Sequence, residues 1–343
     1  MLSSRQQEVL RAIVVDYIRT AEPVGSRTIS RKHGFSVSPA TIRTIMADLE
    51  EMGYVAQPHT SAGRIPTDKG YRLYVDTLMA RPRLSRAEVQ RIEERVGPTM
   101  GEVGEILWEA GRLLSALSPY VAVVMAPCLH ESNFRRVEFV SIARDRVLVI
   151  LLADSGLVRH KVIAADEVLA HEELDRMAGY LTDLLRGHSL REVRDLLAAQ
   201  MAEEKAQYDR MLARALRLGV KALEGETEAD VYVAGAAHIA DQPEFADVGK
   251  MKTLFAAFEE KSKLVKILND CLTGEDFKIF IGSEIPVGDI QGLSVIAAPY
   301  HREDRALGVL GVLGPTRMDY GRALALVETT AKLLSRALTR QAS

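Results

Sequence analysis

The sequence predicts an α+β multidomain protein whose N-terminal part is a winged helix-turn-helix. Three observations lead to this prediction. A capped amphipathic helix at residues 38–53 is preceded by two other helical patterns. A turn-rich segment between two strand-like pieces follows that helix, and beyond residue 100 helical and strand patterns alternate. At 343 residues the chain is long enough for two or three domains with a sizeable core.

Two helices are predicted before the capped one. The first spans Gln6 to Arg19 and has one apolar side, formed by Val9, Leu10, Ile13, Val14, Tyr17 and Ile18. A short second helix fits Arg27 to His33, with Ser26 as its predicted N-cap and Gly34 as its stop. Three helices joined by short turns, the last of them well capped, match a helix-turn-helix.

The third helix carries the side chains that we expect to read DNA. The Ser38-Pro39 pair is a helix start, because the serine accepts from free backbone N–H groups and proline suits the first helical position. Apolar side chains at three- and four-residue steps predict one buried face, made of Ile42, Ile45, Met46, Leu49 and Met52. The pattern leaves Thr41, Arg43 and Thr44 projecting near the N-terminus, and Gly53 ends the helix.

A wing and a fourth helix are predicted next. Tyr54–Pro58 and Arg64–Ile65 are short strand-like pieces around His59–Gly63, which is rich in turn formers and hydroxyls. Thr67 caps a fourth helix that ends near residue 79. The order of helix, helix, helix, hairpin and helix is that of a winged helix.

The net charge favours DNA binding only in the N-terminal 80 residues, not over the whole chain. The whole chain has a net charge of -3 and a pI near 6.3, which argues against a general nucleic-acid coat protein. Residues 1–80 hold ten Lys/Arg against eight Asp/Glu. Three of these acids, Asp48, Glu50 and Glu51, are expected to lie away from the groove because they are at the C-terminal end of the third helix.

The predicted DNA contacts divide between bases and backbone. Hydroxyls and backbone N–H groups at helix starts position a protein on phosphates, whereas a few side chains read base edges. We expect Arg43 and Thr44 to contact bases, and Thr41 to be shared between bases and backbone. Residues that suit phosphates or the minor groove are Ser26, Arg27, Ser38, Thr60, Ser61 and Arg64, and His59 completes the set as a turn or backbone contact. The alternative is a protein-interaction module in which Arg43 is a solvated charge.

A hinge and a mixed α/β region are predicted after the winged helix. Residues 80–85 break the helical pattern, a connecting helix follows at 85–96, and an amphipathic helix at 103–117 leads into a strand at 120–126. Later elements are strands near 231–233, 277–282, 293–301 and 306–313, and helices near 248–272 and 320–339. These elements predict one domain, split in sequence, with a mixed sheet between helices.

The segment that splits this domain has its own pattern. Strands at 134–143, 146–153 and 157–164 are joined by turns short enough for antiparallel neighbours. The chain is helical from His171, and Ser189 with Glu192 forms a capping box at the start of a second helix. If unbroken to Ala222, that helix would be on the order of 50 Å long. A helix of this length favours packing against another subunit.

The sequence gives little support for an enzyme. His171-Glu172-Glu173 lacks the second histidine of a helical zinc site, and no Cys or His lies at metal-ligand spacing. The glycine-rich run at 308–315 lacks the lysine of a phosphate loop and fits a buried strand better. We therefore expect no catalytic residue and no cofactor. No apolar segment could span a membrane, and two cysteines, Cys128 and Cys271, fit a reduced cytoplasmic setting.

Several runs resemble the heat-inducible transcription repressor HrcA family. They are residues 23–28, 40–43, 46–50, 53–54 and, through the wing, 57–72, together with residues 242–245 and 311–320 nearer the C-terminus. The resemblance implies that the split domain is GAF-like and carries an inserted dimerisation domain. With boundaries taken from the helix and strand patterns, we expect a winged helix at 1–80, a linker at 81–101, the GAF-like domain at 102–129 and 227–343, and the insert at 130–226. One departure is Thr44, where the family usually has Asn, which puts the preference for one operator base in doubt.

The same resemblance implies how the protein would work. A homodimer is expected to bind an inverted-repeat operator upstream of chaperonin operons and to repress them. The chaperonin is expected to keep the repressor active until heat-damaged proteins occupy it. The runner-up is a regulator in which a small ligand in the GAF-like domain sets the DNA affinity. An enzyme with an appended DNA-binding domain is a third class, for which we find no catalytic constellation.

Overall fold

The computed structural model describes most of the chain. The described residues are 2–35, 37–59, 62–97, 102–127, 133–165, 168–189, 192–193, 196, 210–223, 230–272, 276–286, 292–303 and 305–341. The chain is mixed α and β throughout, as the sequence predicts.

The N-terminal part has the predicted order of elements. These are α1 (Ser4–Thr20), α2 (Ser26–Lys32), α3 (Pro39–Glu51), β1 (Val55–Ala56), β2 (Ile65–Pro66) and α4 (Asp68–Leu73), which continues as one π-helical turn at Tyr74–Leu78. The two short strands pair antiparallel. Val24, just before α2, forms a further antiparallel bridge to Arg64, so the wing is joined to the helices on both sides.

Local signals set most of these boundaries. The Thr67 hydroxyl accepts from the Gly70 N–H at 3.2 Å and starts α4, as predicted. Gly34 and Gly53 follow α2 and α3 with φ of 60° and 75°, a left-handed conformation that favours glycine at a helix end. The predicted cap of α2 is wrong, because Gly25 is the N-cap and no side chain caps that helix.

A five-stranded sheet forms the centre of the molecule. Its strands are β3 (Val121–Met125), β7 (Val231–Ala234), β8 (Lys278–Ile281), β9 (Leu293–Arg302) and β10 (Arg305–Pro315). The order across the sheet is β7-β3-β10-β9-β8, and every described pairing is antiparallel. The prediction of a mixed sheet was therefore wrong, because apolar periodicity identifies strands but not their direction.

Helices cover both faces of this sheet. They are α5 (Arg86–Val96), α6 (Val103–Leu117), α9 (Ala237–Ala240), α10 (Val248–Glu259), α11 (Lys261–Leu272) and α12 (Tyr320–Gln341). Side chains alternate across each strand, so Val124 packs toward α6 and α12 while Val123 packs toward α11. This layered α/β arrangement agrees with the GAF-like domain that the resemblance implied.

The glycine-rich run at 308–315 is a buried strand, as interpreted from the sequence. It forms most of β10, in the centre of the sheet. A Cβ on Gly308 would lie 2.3 Å from the Met125 carbonyl oxygen, and one on Gly311 would lie 2.5 Å from the Ile296 carbonyl oxygen. Close backbone packing therefore explains the glycines.

A second sheet stands apart with its own core. It is the meander β4 (Phe134–Ala143), β5 (Arg146–Ala153) and β6 (Val158–Ala164), covered on one side by α7 (His171–Leu185) and α8 (Arg210–Leu223). The predicted capping box is present, since the Ser189 hydroxyl accepts from the Glu192 N–H at 3.3 Å. The predicted single helix from there to Ala222 cannot be followed along its length, because residues 190–191, 194–195 and 197–209 lie outside the described residues.

The segment after the winged helix is anchored to the central domain. Residues 79–85 are not helical, as predicted, but a Cβ on Gly321 of α12 would lie 2.7 Å from the Ala80 carbonyl oxygen. Glu88 on α5 accepts hydrogen bonds from Ser85 and pairs with Arg322 on α12 at 2.8 Å. These contacts lower the pKa of the Glu88 carboxyl to about 2, the Ser85 bonds being the larger cause. The predicted hinge is thus held at both ends.

Candidate nucleic-acid interface

The third helix presents the predicted polar surface. Thr41, Arg43 and Thr44 are exposed, whereas Ile42 and Leu49 are fully buried among the other winged-helix side chains. The buried face fixes the rotation of α3 about its own axis, because turning it would expose that apolar side. The three predicted base-contact residues are therefore held facing outward on a rigid element.

The N-terminus of α3 is capped as predicted. The Ser38 hydroxyl accepts from the Thr41 N–H at 3.2 Å, and the Ser38 and Thr41 hydroxyl oxygens lie 3.1 Å apart. The Thr44 hydroxyl donates to the Ala40 carbonyl at 3.4 Å. Within the described chain, Arg43 makes no ion pair, so its guanidinium is available to a ligand.

A cleft of about 440 Å³ lies between α2, α3 and the wing. Among the described residues, its lining includes three arginines and no acidic side chain: Arg27 from the start of α2, Arg43 from α3 and Arg64 from the wing. Arg27 is exposed. Arg27 and Arg43, from two separate elements, make this concave surface electropositive, which suits the phosphate backbone of a duplex.

Ser26, predicted to suit a phosphate or the minor groove, lines the same cleft. It is the first residue of α2 and only 8% exposed, so its side chain is mostly covered. The backbone N–H groups at the start of α2 remain the groups suited to an anion there. The sequence pattern misassigned the N-cap of α2 because Gly25 and Ser26 are both plausible N-cap residues.

Arg64 is paired inside the protein. Its Nη2 lies 2.7 Å from the Glu50 Oε2, and its side chain is 18% exposed. Glu50 therefore reaches the wing, and the expectation that this acid lies away from the interface was wrong. The ion pair joins the wing to the C-terminal half of α3, and the Val24–Arg64 bridge joins it to the segment before α2. Residue spacing does not encode either tertiary contact.

The wing is built around a glycine that touches backbone. A Cβ on Gly63 would lie 2.4 Å from both the carbonyl carbon and the carbonyl oxygen of Val24. The tip is closed by a hydrogen bond from the Ala62 N–H to the His59 carbonyl at 2.9 Å, and the His59 side chain is exposed. Thr60 and Ser61, both predicted to contact DNA, lie outside the described residues.

We predict that Gly63→Ala destabilises the winged helix by about 1–3 kcal/mol, because the new methyl group overlaps immobile backbone. Gly179→Ala on α7 is the matched control, since nothing lies within 4 Å of its Cβ. That change should be neutral or stabilising, because alanine favours a helix over glycine. Thermal unfolding of both variants measures the difference, and equal melting temperatures would contradict the close approach at Gly63.

Other site classes have little support in the described part of the chain. There, no three His, Cys, Asp or Glu side chains gather as metal ligands. Among the helices described, none is long and apolar enough to cross a membrane. Cys271 is a free buried thiol whose pKa is raised to about 11 by burial, and Cys128 lies outside the described residues.

The fold and this surface define a winged-helix DNA-binding protein, and comparisons with known proteins identify its family. The family model for the winged helix-turn-helix transcription repressor HrcA, DNA-binding, matches residues 1–78, and the HrcA protein C terminal domain model matches residues 104–324. The chain belongs to the heat-inducible transcription repressor HrcA family.

The sequences of individual relatives match this chain over nearly its whole length. A heat-inducible transcription repressor HrcA of Geobacter sulfurreducens is 48% identical over 337 residues, which is 98% of each chain. The one from Syntrophobacter fumaroxidans is 42% identical, over 98% of this chain and 97% of its own. A crystal structure of a hypothetical protein superposes with a TM-score of 0.67 at 26% identity, covering 99% of this chain and all of the other.

Proposed function

We propose that this chain is a homodimeric repressor that binds an inverted-repeat operator upstream of chaperone operons in the cytoplasm. The observation that carries the proposal is the outward surface of α3, where Thr41, Arg43 and Thr44 are exposed beside an arginine-lined cleft. An α-helix fits the major groove, and its N-terminal side chains reach base edges there. Repression would follow from occlusion of the promoter, which requires no catalytic group or cofactor.

The residue roles follow from this placement. Arg43 and Thr44 would contact bases, and Thr41 would be shared between a base and the backbone. At position 26 the backbone N–H, rather than the hydroxyl, would face a phosphate. The remaining backbone contacts would come from Arg27, Ser38, His59, Thr60, Ser61 and Arg64. Thr44 offers one hydroxyl, already directed at its own helix, so its base contact would be weaker than that of an amide side chain.

The outer face of the second sheet supports dimerisation. Val140, Leu148 and Val162 lie side by side across β4, β5 and β6. Val140 and Val162 are 39% and 49% exposed, and Val158 on the same face is 36% exposed. The opposite face packs on α7 and α8. A contiguous apolar strip of this kind fits a second copy of the chain.

The domain division that we propose has the boundaries predicted from the sequence. It comprises the winged helix at 1–80, a linker at 81–101, the GAF-like domain at 102–129 and 227–343, and the dimerisation insert at 130–226. The separate core of the second sheet supports the insert. The anchoring of residues 79–85 on α12 supports a linker that is packed rather than free.

Regulation by a chaperonin is the second part of the proposal. Proteins are marginally stable, so a repressor that needs refolding assistance would lose activity when heat-damaged proteins occupy the chaperonin. The family identity favours this over control by a small ligand. A gel-shift assay on a chaperone-promoter inverted repeat, with purified chaperonin or a cell metabolite extract added, tests it. An increase in operator binding with chaperonin alone supports the proposal. An increase with the metabolite extract alone contradicts it.

The Arg64–Glu50 pair gives a prediction about non-specific binding. Arg64→Ala should weaken binding to operator and scrambled duplex together and lower the salt slope by about 1. The reason is that it removes one positive charge that would contact a phosphate, and it leaves the Glu50 carboxylate unpaired. Glu50→Gln should strengthen both, because it frees the guanidinium. Fluorescence anisotropy across a salt series measures each variant. If Arg64→Ala weakens operator binding only, Arg64 reads sequence instead.

A further inference from the structure

The winged helix is attached to the central domain through α1, α4 and the segment that follows α4. In the described contacts, none of the exposed α3 residues Thr41, Arg43 and Thr44 takes part in this attachment. The DNA-facing surface is therefore free while other sides of the same small domain are held. Two arginines, one from each side of the junction, make polar contacts across it.

Arg317 reaches from the central domain into the winged helix. It lies in the turn between β10 and α12, and its Nη1 donates to the Ile18 carbonyl at the end of α1 at 2.7 Å. Its Nε donates to the Glu244 Oε1 at 2.5 Å, and its side chain is 13% exposed. One guanidinium thus ties the last turn of α1 to two segments of the central domain.

Arg72 reaches in the opposite direction, from α4 into the edge of the central sheet. Its Nη2 donates to the Ile279 carbonyl on β8 at 2.6 Å, and its Nε donates to the Glu284 Oε1 at 2.9 Å. Nearby, the Asp68 carboxylate accepts from the Ser283 N–H at 2.9 Å. These bonds fix α4 against the turn that follows β8.

Buried aromatic side chains lie at the same junction. The rings of Tyr71 on α4 and Tyr320 on α12 are 5.8 Å apart, and both side chains are almost completely buried. The Ala80 carbonyl oxygen packs against Gly321, which is the residue after Tyr320. Contacts at α1, at α4 and at residue 80 restrain both the position and the rotation of the winged helix.

We infer that Arg72 and Arg317 are positioning residues for operator recognition, which set the separation and relative rotation of the two α3 helices in the dimer. The inference rests on the proposed function. A dimer that holds two reading helices rigidly favours one half-site spacing, because the second contact then forms at a high effective concentration. If the winged helices were loosely tethered, the same protein would tolerate several spacings.

The test compares Arg72→Met, Arg317→Met and the double variant with wild type. Methionine keeps an apolar stem but removes the guanidinium, and Glu244 and Glu284 are 26% and 35% exposed, so the freed carboxylates can be hydrated. Arg305→Met, at an exposed position on β10, is the matched control. The duplexes are a single half-site, the natural inverted repeat, and the same repeat with its spacer lengthened by about half a helical turn.

The variants should bind the half-site within about two-fold of wild type and the natural repeat about ten-fold or more weaker. Their preference for the natural spacer over the lengthened one should shrink, whereas the control keeps it. Spacer discrimination equal to wild type would overturn the inference. So would tighter operator binding by the variants, or a loss at the half-site as large as the loss at the full repeat.

A second readout needs no DNA and separates this inference from the proposed function. Hydrogen exchange at the Ser283 amide should become faster in the double variant, while the buried core of α1 stays protected. Unchanged exchange at Ser283 would overturn the inference even if operator binding fell. If wild type binds no inverted repeat but exchange responds as expected, the proposed function fails while the junction is still shown to be held by the arginines.

Discussion

Val162→Asp is expected to convert the protein to monomers and to weaken binding to the inverted repeat about 100-fold or more. The reason is that the proposed dimer interface is the apolar strip of Val140, Leu148 and Val162, and a carboxylate there would be buried without a partner. Val162 is 49% exposed in the protomer, so the change should leave the subunit folded. Sedimentation velocity and operator titration, run in parallel, measure both effects.

The control for this variant is Arg176→Glu on the exposed side of α7, in the same insert but away from the strip. It changes charge without touching the proposed interface and should remain dimeric. Binding of Val162→Asp to a single half-site should stay close to wild type, because the α3 surface is unaltered. A dimer of unchanged affinity in Val162→Asp would show that the subunits associate elsewhere.

Arg43→Ala is expected to weaken binding to the specific operator by about 1–3 kcal/mol, which is roughly five-fold to 150-fold. An exposed arginine near the N-terminus of a groove-inserted helix donates two hydrogen bonds to one guanine, and alanine removes both. Because Ile42 and Ile45 hold α3 in the core, stability should be almost unchanged. Competition between operator and scrambled duplex gives the discrimination directly.

Arg86→Ala, at the exposed start of α5, is the charge-matched control for this variant. It removes the same charge from outside the winged helix and should leave discrimination intact. If Arg43→Ala weakens operator and scrambled duplex equally, Arg43 is a phosphate contact rather than a base reader. If it weakens neither, the alternative of a protein-interaction surface on α3 gains support.

The sequence could predict the features that depend on neighbours along the chain. Ser38, Pro39 and the three- and four-residue spacing of the apolar side chains define the start and the buried face of α3. The structure has both, except that Met52 was wrongly placed on the buried face, because it is the C-cap and is 36% exposed. The meander strands β4 and β5 were predicted to the residue, because a short turn joins them. The family resemblance supplied what pattern alone left open, namely that a winged helix here binds DNA rather than protein.

The features that depend on distant residues could not be predicted in this way. The Arg64–Glu50 pair forms because the wing folds back on α3, and the Arg72–Glu284 pair joins residues more than 200 positions apart. Strand direction in the central sheet is also set by how the elements assemble. Spacing in one sequence carries no information on such contacts, so a hinge was predicted without its anchoring on the central domain.

The central claim is that the Thr41–Thr44 surface enters the major groove twice, through the symmetry of a dimer. Methylation protection of guanine N7 on a chaperone-promoter duplex tests it most directly, because that atom lies in the major groove. The expected result is two protected blocks, one in each half of the inverted repeat and about a helical turn or a multiple of it apart. Both blocks should be lost in Arg43→Ala. Absence of protection in wild type, or protection unaffected by Arg43→Ala and Val162→Asp, would contradict the claim.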